Sequence, residues 1–373
     1  MKRRNNAMYD FQPVERDLDA LEALGLPYCE VLVQKDHRVL FHAHRGQEGL
    51  GKRFFLYSCS KLMTVTGVLR LVERGLVELD APVARYLPAF EKAFLLENGV
   101  RRAPETVMTV RHLFTMSGGL DYDFSKPPIR TAAAQPGANT VSVVNSFVES
   151  PLCFNPGDRF QYSLCHDVLA AVAEQVTGKP FGQYMQEEVF GPLGMTRTSF
   201  SFQPEEIAPQ YRFDEKTRAY EKMPCECVYM LNPHYYSGGA GVVSTAEDMA
   251  RLVDALACKG QSREGYALLR PETVALLHTE QLSRLVKDPA FGCPAGPGYS
   301  YGLGVRVLVD KSQGQPSPLG EFGWDGAAGS YELCDCENGV SIAFITHVSG
   351  WTAIRPVFHA PLRNAVYQAL RIG

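Results

Sequence analysis

The sequence predicts one α/β domain interrupted by a helical insertion. Three observations carry this reading. Two strand-like runs sit near the start, a long helical middle extends from about Gly75 to Ser237, and three more strand-like runs crowd the last third. Strands at both ends of a chain, separated by helices, are most simply joined in one core. Length alone suggests two to three units, since 373 residues exceed ~150 per domain. Element order argues for one.

The elements follow in turn. Val14, Leu18, Leu21 and Leu24 recur at helical spacing, and Gly25 and Pro27 end that helix. Tyr28–Gln34 and Arg38–His44 read as strands joined at Lys35-Asp36-His37, a hairpin. After Phe54-Phe55-Leu56-Tyr57 a helix starts at Ser58, with Leu62, Val65, Leu69 and Val72 on one face. The middle alternates helices with Pro/Gly loops, and Val168, Leu169, Val172 and Val176 mark one of those helices. A helix over 245–257 has Ser244 or Thr245 as its cap and Glu247-Asp248 in its first turn. Leu303–Val309, Ser330–Cys334 and Val340–His347 read as strands, and a last helix covers about Ala353–Arg371.

Composition narrows the function classes. The chain is 45% hydrophobic and 21% charged, with 37 basic and 41 acidic residues. That balance provides no broad basic footprint, so nucleic acid is not an expected partner. No apolar run of ~18 residues occurs, so no membrane-spanning helix is expected. Lys2–Arg4 opens the chain as a leader peptide does, but Asp10, Glu15, Arg16 and Asp17 interrupt any apolar stretch. Ten cysteines in 373 residues fall far below disulfide-scaffold density. Together these features favour a reduced, cytoplasmic compartment and do not name a function; the oligomeric state is left open.

The chemistry begins at Ser58-Cys59-Ser60-Lys61, an S-x-x-K tetrad at a helix start. Positions i and i+3 share a helical face, so the two side chains can meet. A serine hydroxyl attacks a carbonyl only when a base takes its proton. A lysine can be that base if burial or a nearby cation lowers its pKa. The helix N-terminus adds N–H groups where an oxyanion would form. The tetrad alone also fits a capped helix with an exposed lysine, so context must decide. Tyr162-Ser163 follows Asn155-Pro156-Gly157-Asp158, and Gly323-Trp324-Asp325-Gly326-Ala327-Ala328-Gly329 leads into a strand. A glycine-rich edge segment lets a substrate lie against the backbone.

With these motifs in this order, the sequence resembles the serine β-lactamase and penicillin-binding-protein superfamily. It is most similar to the branch of class C β-lactamases, family VIII esterases and D-aminopeptidases. The resemblance spans about residues 28 to 350. Its landmarks include Ser58–Lys61, GLVELDAPVARYLP from Gly75, TVRHLFTMSGGL from Thr109 and Pro156–Tyr162 with Ser163. GPLGMTRT from Gly191, GAGVVSTAED from Gly239, YGLG from Tyr301 and Trp324–Gly326 complete the set.

The resemblance implies a β-lactamase/transpeptidase-like α/β fold, an antiparallel sheet flanked by helices plus a helical subdomain. The α/β part would cover about 12–75 and 238–373 and the helical subdomain about 76–237, with the cleft between them. Ser58 would be the acylated nucleophile, and Lys61 would accept its proton or keep the site poised. Tyr162 would pass a proton to the leaving group and later activate water; how Lys61 and Tyr162 divide the base role stays open. The N–H groups of Ser58 and Ala327 would form the oxyanion hole, with Trp324, Asp325 and Gly326 beside the substrate. No metal or cofactor is implied.

Two positions depart from the family pattern. The tyrosine motif is usually Tyr-x-Asn, and here it is Tyr162-Ser163-Leu164. The third motif usually opens with Lys or His, and here it is Trp324-Asp325-Gly326. Trp324 supplies an apolar wall and an indole N–H instead of a cation for a substrate carboxylate. Both departures point to a serine esterase or amidase acting on a small neutral ester or amide. A β-lactamase or D-amino-acid peptidase of the same fold is the alternative. A non-catalytic ligand-binding homologue is a third reading, which intact Ser58, Lys61 and Tyr162 oppose.

Other motifs compete less well. Gly298-Tyr299-Ser300-Tyr301-Gly302 spells a nucleophile elbow, with Asp325 and His347 in triad order. An elbow needs a strand before it and a helix after it, whereas Pro294, Gly296 and Pro297 precede this one and a strand follows. Cys225-x-Cys227 and Cys334-x-Cys336 lack common zinc spacing and read as free thiols. Cys59 should pack into the core. His42 and His44 read as surface residues, and His234, Tyr235 and Tyr236 as a loop that could line the cleft.

Overall fold

The computed structural model describes residues 9–282 and 296–372. Lys2–Arg4, Cys293 and Pro294 lie outside them. The first helix is Gln12–Ala23 (α1), and the hairpin is Tyr28–Lys35 (β1) with Arg38–Gly46 (β2). Ser60–Glu73 (α2) follows a single 3-10 turn, Tyr57–Cys59, that carries Ser58. Cys165–Thr177 (α3) is the helix marked by Val168 and Val172. Gln210–Asp214 (β3) and Ala219–Met223 (β4) form a second hairpin. Ala246–Ala257 (α4) is capped by Thr245, whose side chain accepts from Asp248 N and contributes about 1 kcal/mol.

The last third supplies Tyr299–Tyr301 (β5), Arg306–Leu308 (β6), Phe322–Gly323 (β7), Tyr331–Asp335 (β8) and Val340–Thr346 (β9). A π turn at Arg355–His359 then opens Ala360–Leu370 (α5). The strands join into one seven-stranded antiparallel sheet, in the order β2-β1-β9-β8-β7-β6-β5. Early and late segments therefore meet at the β1–β9 pair, where Val31 faces Phe344.

The central strand β9 explains the layers. All seven of its residues are buried. Successive side chains point to opposite faces. Val340, Ile342 and Phe344 pack with Val14, Leu18, Leu362 and Val366 of α1 and α5. Ala343 and Ile345 join Leu252, Val253 and Leu256 of α4 and the side chains of α2 on the other face. Each fully buried aliphatic side chain contributes ~1.5–3 kcal/mol. Lys61 lies on α2, whose buried side chains belong to this second face.

The middle holds more strand than its periodicity suggests. Leu95–Glu97 pairs with Val100–Arg102, and β3 pairs with β4 and, in parallel, with Val348–Ser349. These strands are short and half exposed, so they carry no sustained apolar run for a pattern to detect. No helix among the described residues is long and apolar enough to cross a membrane.

Candidate active site

Ser58 is displayed by a strained turn. Tyr57 adopts φ 48°, a region that bulky residues rarely enter. Its ring is buried, its hydroxyl donates to Gln210, and it meets Tyr229 edge to face at 6.0 Å. These contacts hold the kink, and strain maintained by surrounding packing is characteristic of functional turns. The next residue is Ser58, and α2 begins two residues later.

One turn further, Lys61 is wholly buried. Its Nζ donates to Ser58 Oγ at 3.3 Å, to Tyr122 Oη at 3.3 Å and to Gly239 O at 2.7 Å. From the other side, Tyr162 Oη donates to Ser58 Oγ at 2.7 Å. Trp324 Nε1 donates to Tyr162 Oη at 3.2 Å, and the two rings stack at 5.6 Å. Nucleophile, amine, phenol and indole therefore form one connected chain.

Burial sets the protonation of these groups. It pulls Lys61 from the ordinary lysine value down to about 7, although the nearby Asp167 carboxylate opposes the change. Burial pushes the Tyr162 phenol far up, against its hydrogen bonds with Ser58 and Trp324, so the resting ring is neutral. Burial also raises Asp167, with Ser237, Lys61 and Tyr235 pulling the other way. Tyr235 donates to Asp167 Oδ1 at 2.9 Å and fixes that carboxyl.

Two glycines let the backbone close around these groups. A Cβ at Gly239 would stand 2.8 Å from Asp167 Oδ2 and 3.3 Å from Lys61 Nζ. A Cβ at Gly326 would stand 2.4 Å from Leu56 O, two residues before Ser58. Gly326 thus lets the end of the Trp324–Gly326 segment press against the turn that carries Ser58. Ala327 follows at the exposed crest of a tight turn closed by Gly329 N donating to Gly326 O.

Of the residues the sequence singles out, Ser58, Lys61, Tyr162 and Trp324 meet directly. Gly326 and Ala327 border them. Asp325 contributes backbone only: its carboxylate turns to the opposite face, where Arg355 binds it at 2.7 Å. Ser163 is buried and directs its hydroxyl to Cys165 Sγ, so it does not replace the missing amide. Tyr122, Gly239 and Tyr57 are the residues that sequence reasoning passed over, whereas Tyr235 belongs to the loop it offered as cleft lining. Tyr122 lies two residues beyond the Thr109–Leu120 landmark and Gly239 opens another, so motif position was the available signal. Asp167 belongs to α3 and also neighbours Lys61.

The competing motifs do not assemble. Ser300 lies within β5 with its hydroxyl on Glu280, and no helix follows. His347 is buried with its ring nitrogens toward Ala208 O and Phe55 N. Cys59 is buried, and Cys225, Cys227, Cys334 and Cys336 are free thiols. His42 and His44 are exposed, and so is His234.

A family model described as Beta-lactamase matches residues 15–358. Esterase EstB of Burkholderia gladioli is 30% identical, over 98% of this chain and 94% of that protein. Protein Rv1367c of Mycobacterium tuberculosis is 30% identical, over 76% of this chain and 74% of its own. Among solved structures, EstCE1, a hydrolase with promiscuous acyltransferase activity, superposes with a TM-score of 0.81 at 26% identity. That match covers 95% of this chain and 98% of the other.

Proposed function

The chain belongs to the beta-lactamase family, and from that premise we propose that it is a serine hydrolase forming an acyl-enzyme on Ser58. The substrate is a small neutral ester or amide. The observation that carries this reading is the meeting at Ser58 Oγ: a buried amine at 3.3 Å and a neutral phenol at 2.7 Å. An esterase covering nearly the whole chain is among its relatives.

The geometry supports a division of labour. With its value near 7, a large share of Lys61 is the free amine at neutral pH. Ser58 O–H turns to that amine, gives up its proton and bonds to the substrate carbonyl carbon. The N–H groups of Ser58 and Ala327 serve the oxyanion. As the carbonyl re-forms, the bond to the leaving group breaks, and Tyr162 O–H hands its proton to the departing oxygen or nitrogen. The transient phenolate is held by Trp324 Nε1–H and by the new Lys61 ammonium, 4.5 Å from the ring centroid. Lys61 then returns its proton to Tyr162. Water attacks the acyl-enzyme by the reverse path, losing its proton to the same pair and restoring Ser58.

Trp324 and the rings of Tyr122, Tyr162 and Tyr229 give the site an aromatic wall. Such a wall favours an uncharged acyl group over a carboxylate. The test is a panel of short-chain p-nitrophenyl esters, nitrocefin and D-amino-acid amides, with Ser58→Ala as control. Ester turnover well above nitrocefin turnover, together with loss of fluorophosphonate labelling in Ser58→Ala, is the expected result. Nitrocefin turned over as fast as the esters would overturn the substrate class; labelling that survives in Ser58→Ala would overturn the nucleophile.

A further inference from the structure

The tip of the β1–β2 hairpin meets the C-terminal end of α4. The turn consists of Asp36 and His37, with φ 48° and 64°. Such two-residue turns favour Asn-Gly or Asp-Gly, and a histidine in the second place costs about 1 kcal/mol or more. The tip is anchored from a second direction, because Asp36 N donates to Gly339 O at 2.9 Å. The imidazole is therefore held in place at a conformational cost.

His37 Nδ1 lies 2.8 Å from Asp254 Oδ2. Asp254 and Cys258 stand one helical turn apart, which places them on one face of the helix end. One ligand atom from each of His37, Asp254 and Cys258 lies within 4.8 Å of the others. The Asp254 side chain is 4% exposed, and its Oδ1 has no hydrogen-bond partner among the described residues. A buried carboxylate oxygen left unpaired costs roughly 1–3 kcal/mol or more. A hydrogen bond from His37 serves only the other oxygen.

We propose that His37 Nδ1, the Asp254 carboxylate and Cys258 Sγ form a zinc site with three protein ligands and an outward position for water. An imidazole, a carboxylate and a thiolate form a borderline-soft donor set that suits Zn²⁺ and does not suit Mg²⁺ or Ca²⁺. On binding, Cys258 S–H releases its proton to solvent and a Zn–S bond forms, with no redox change. The charges then sum to zero, since one dication meets one carboxylate and one thiolate, which is compatible with burial. The opening for water lies on the side of His37, whose side chain is 29% exposed. The metal ties the hairpin tip to α4 and leaves the Ser58 chemistry untouched.

The test uses the purified full chain, stripped with a chelator and then titrated with Zn²⁺ or Co²⁺. One equivalent should bind, Co²⁺ should give a thiolate-to-metal charge-transfer band, and Zn²⁺ should raise the wild-type Tm. Cys258→Ser should lose the band and the Tm response and bind at least about tenfold more weakly, with ester hydrolysis retained as proof of folding. His37→Gly should also lose metal, although glycine suits the turn and should stabilise the metal-free chain. Sub-stoichiometric binding, a cobalt spectrum without the band, or wild-type affinity in either variant would overturn the proposal.

Discussion

Tyr122 and Tyr162 lie face to face, with ring centroids 5.2 Å apart and planes only 2° from parallel. Lys61 Nζ sits 5.2 Å from the first centroid and 4.5 Å from the second. The lysine is thus enclosed by two phenols, one bonded to it and the other bonded to the serine it faces. Burial depresses the amine and elevates both phenols, which favours the proposed reading of Lys61 as resting base. A neutral amine accepts a proton at physiological pH, whereas a buried neutral phenol can only give one.

This assignment fixes a pH dependence. For p-nitrophenyl acetate, kcat/KM should fall about tenfold per pH unit below about 7, as Lys61 takes up its proton. Lys61→Arg keeps the charge but cannot act as a base, so activity should fall by roughly 10²–10⁴-fold and the acidic limb should vanish. A wild-type limb near the ordinary lysine value would transfer the base role elsewhere. The measurement is a pH–rate profile under initial-rate conditions.

The two tyrosines should respond differently. Tyr162→Phe removes the proton donor to the leaving group and should lower turnover by roughly 10²–10⁴-fold. Tyr122→Phe removes a hydrogen-bond acceptor of the Lys61 ammonium, which favours the neutral amine. Its profile should keep at least about a tenth of the activity and move the acidic limb to lower pH. A limb displaced to higher pH would contradict the hydrogen bond from Lys61 Nζ to Tyr122 Oη.

Gly239→Ala tests the close approach of backbone to lysine. The added methyl would stand 2.8 Å from Asp167 Oδ2 and 3.3 Å from Lys61 Nζ, so one of them must move. Misplacing a catalytic group by about 1 Å costs on the order of 10²-fold. We expect that loss in kcat/KM with a cooperative thermal transition still present, read by activity and calorimetry together.

Lys61→Met should trade activity for stability. Burial holds the folded value of Lys61 below the unfolded one, so the unfolded chain binds the extra proton between about 7 and the ordinary lysine value. Stability therefore rises with pH across that interval, and the full cost of burying the amine is present below about 7. Replacing the amine with an apolar side chain of similar length should raise Tm at pH 6 by roughly 1 °C or more, since about 1 kcal/mol corresponds to about 1 °C in a chain of 373 residues. An unchanged or lower Tm would mean that the bonds to Ser58, Tyr122 and Gly239 outweigh the desolvation.

The division between sequence and structure follows from how far each physical signal reaches. Local periodicity located α1, β1, β2, α2, α4 and three of the five late strands, β6, β8 and β9, because a buried face imposes its repeat on neighbouring residues. The helix start at Ser58-Cys59-Ser60-Lys61 and the ordered landmarks carried the resemblance. Short half-exposed strands such as Gln210–Asp214 escaped, since they bury too little to impose a pattern. Tyr122, Asp167 and the Tyr235–Gly239 loop gather around Lys61 from three separate stretches of chain, and His37 meets Cys258 across more than half of it. Only packing decides such meetings. The sequence by itself determined which residue types were available for acyl transfer and on which elements they lie. The tertiary structure decided their protonation, because a lysine falls to about 7 only where folding has excluded water from every side.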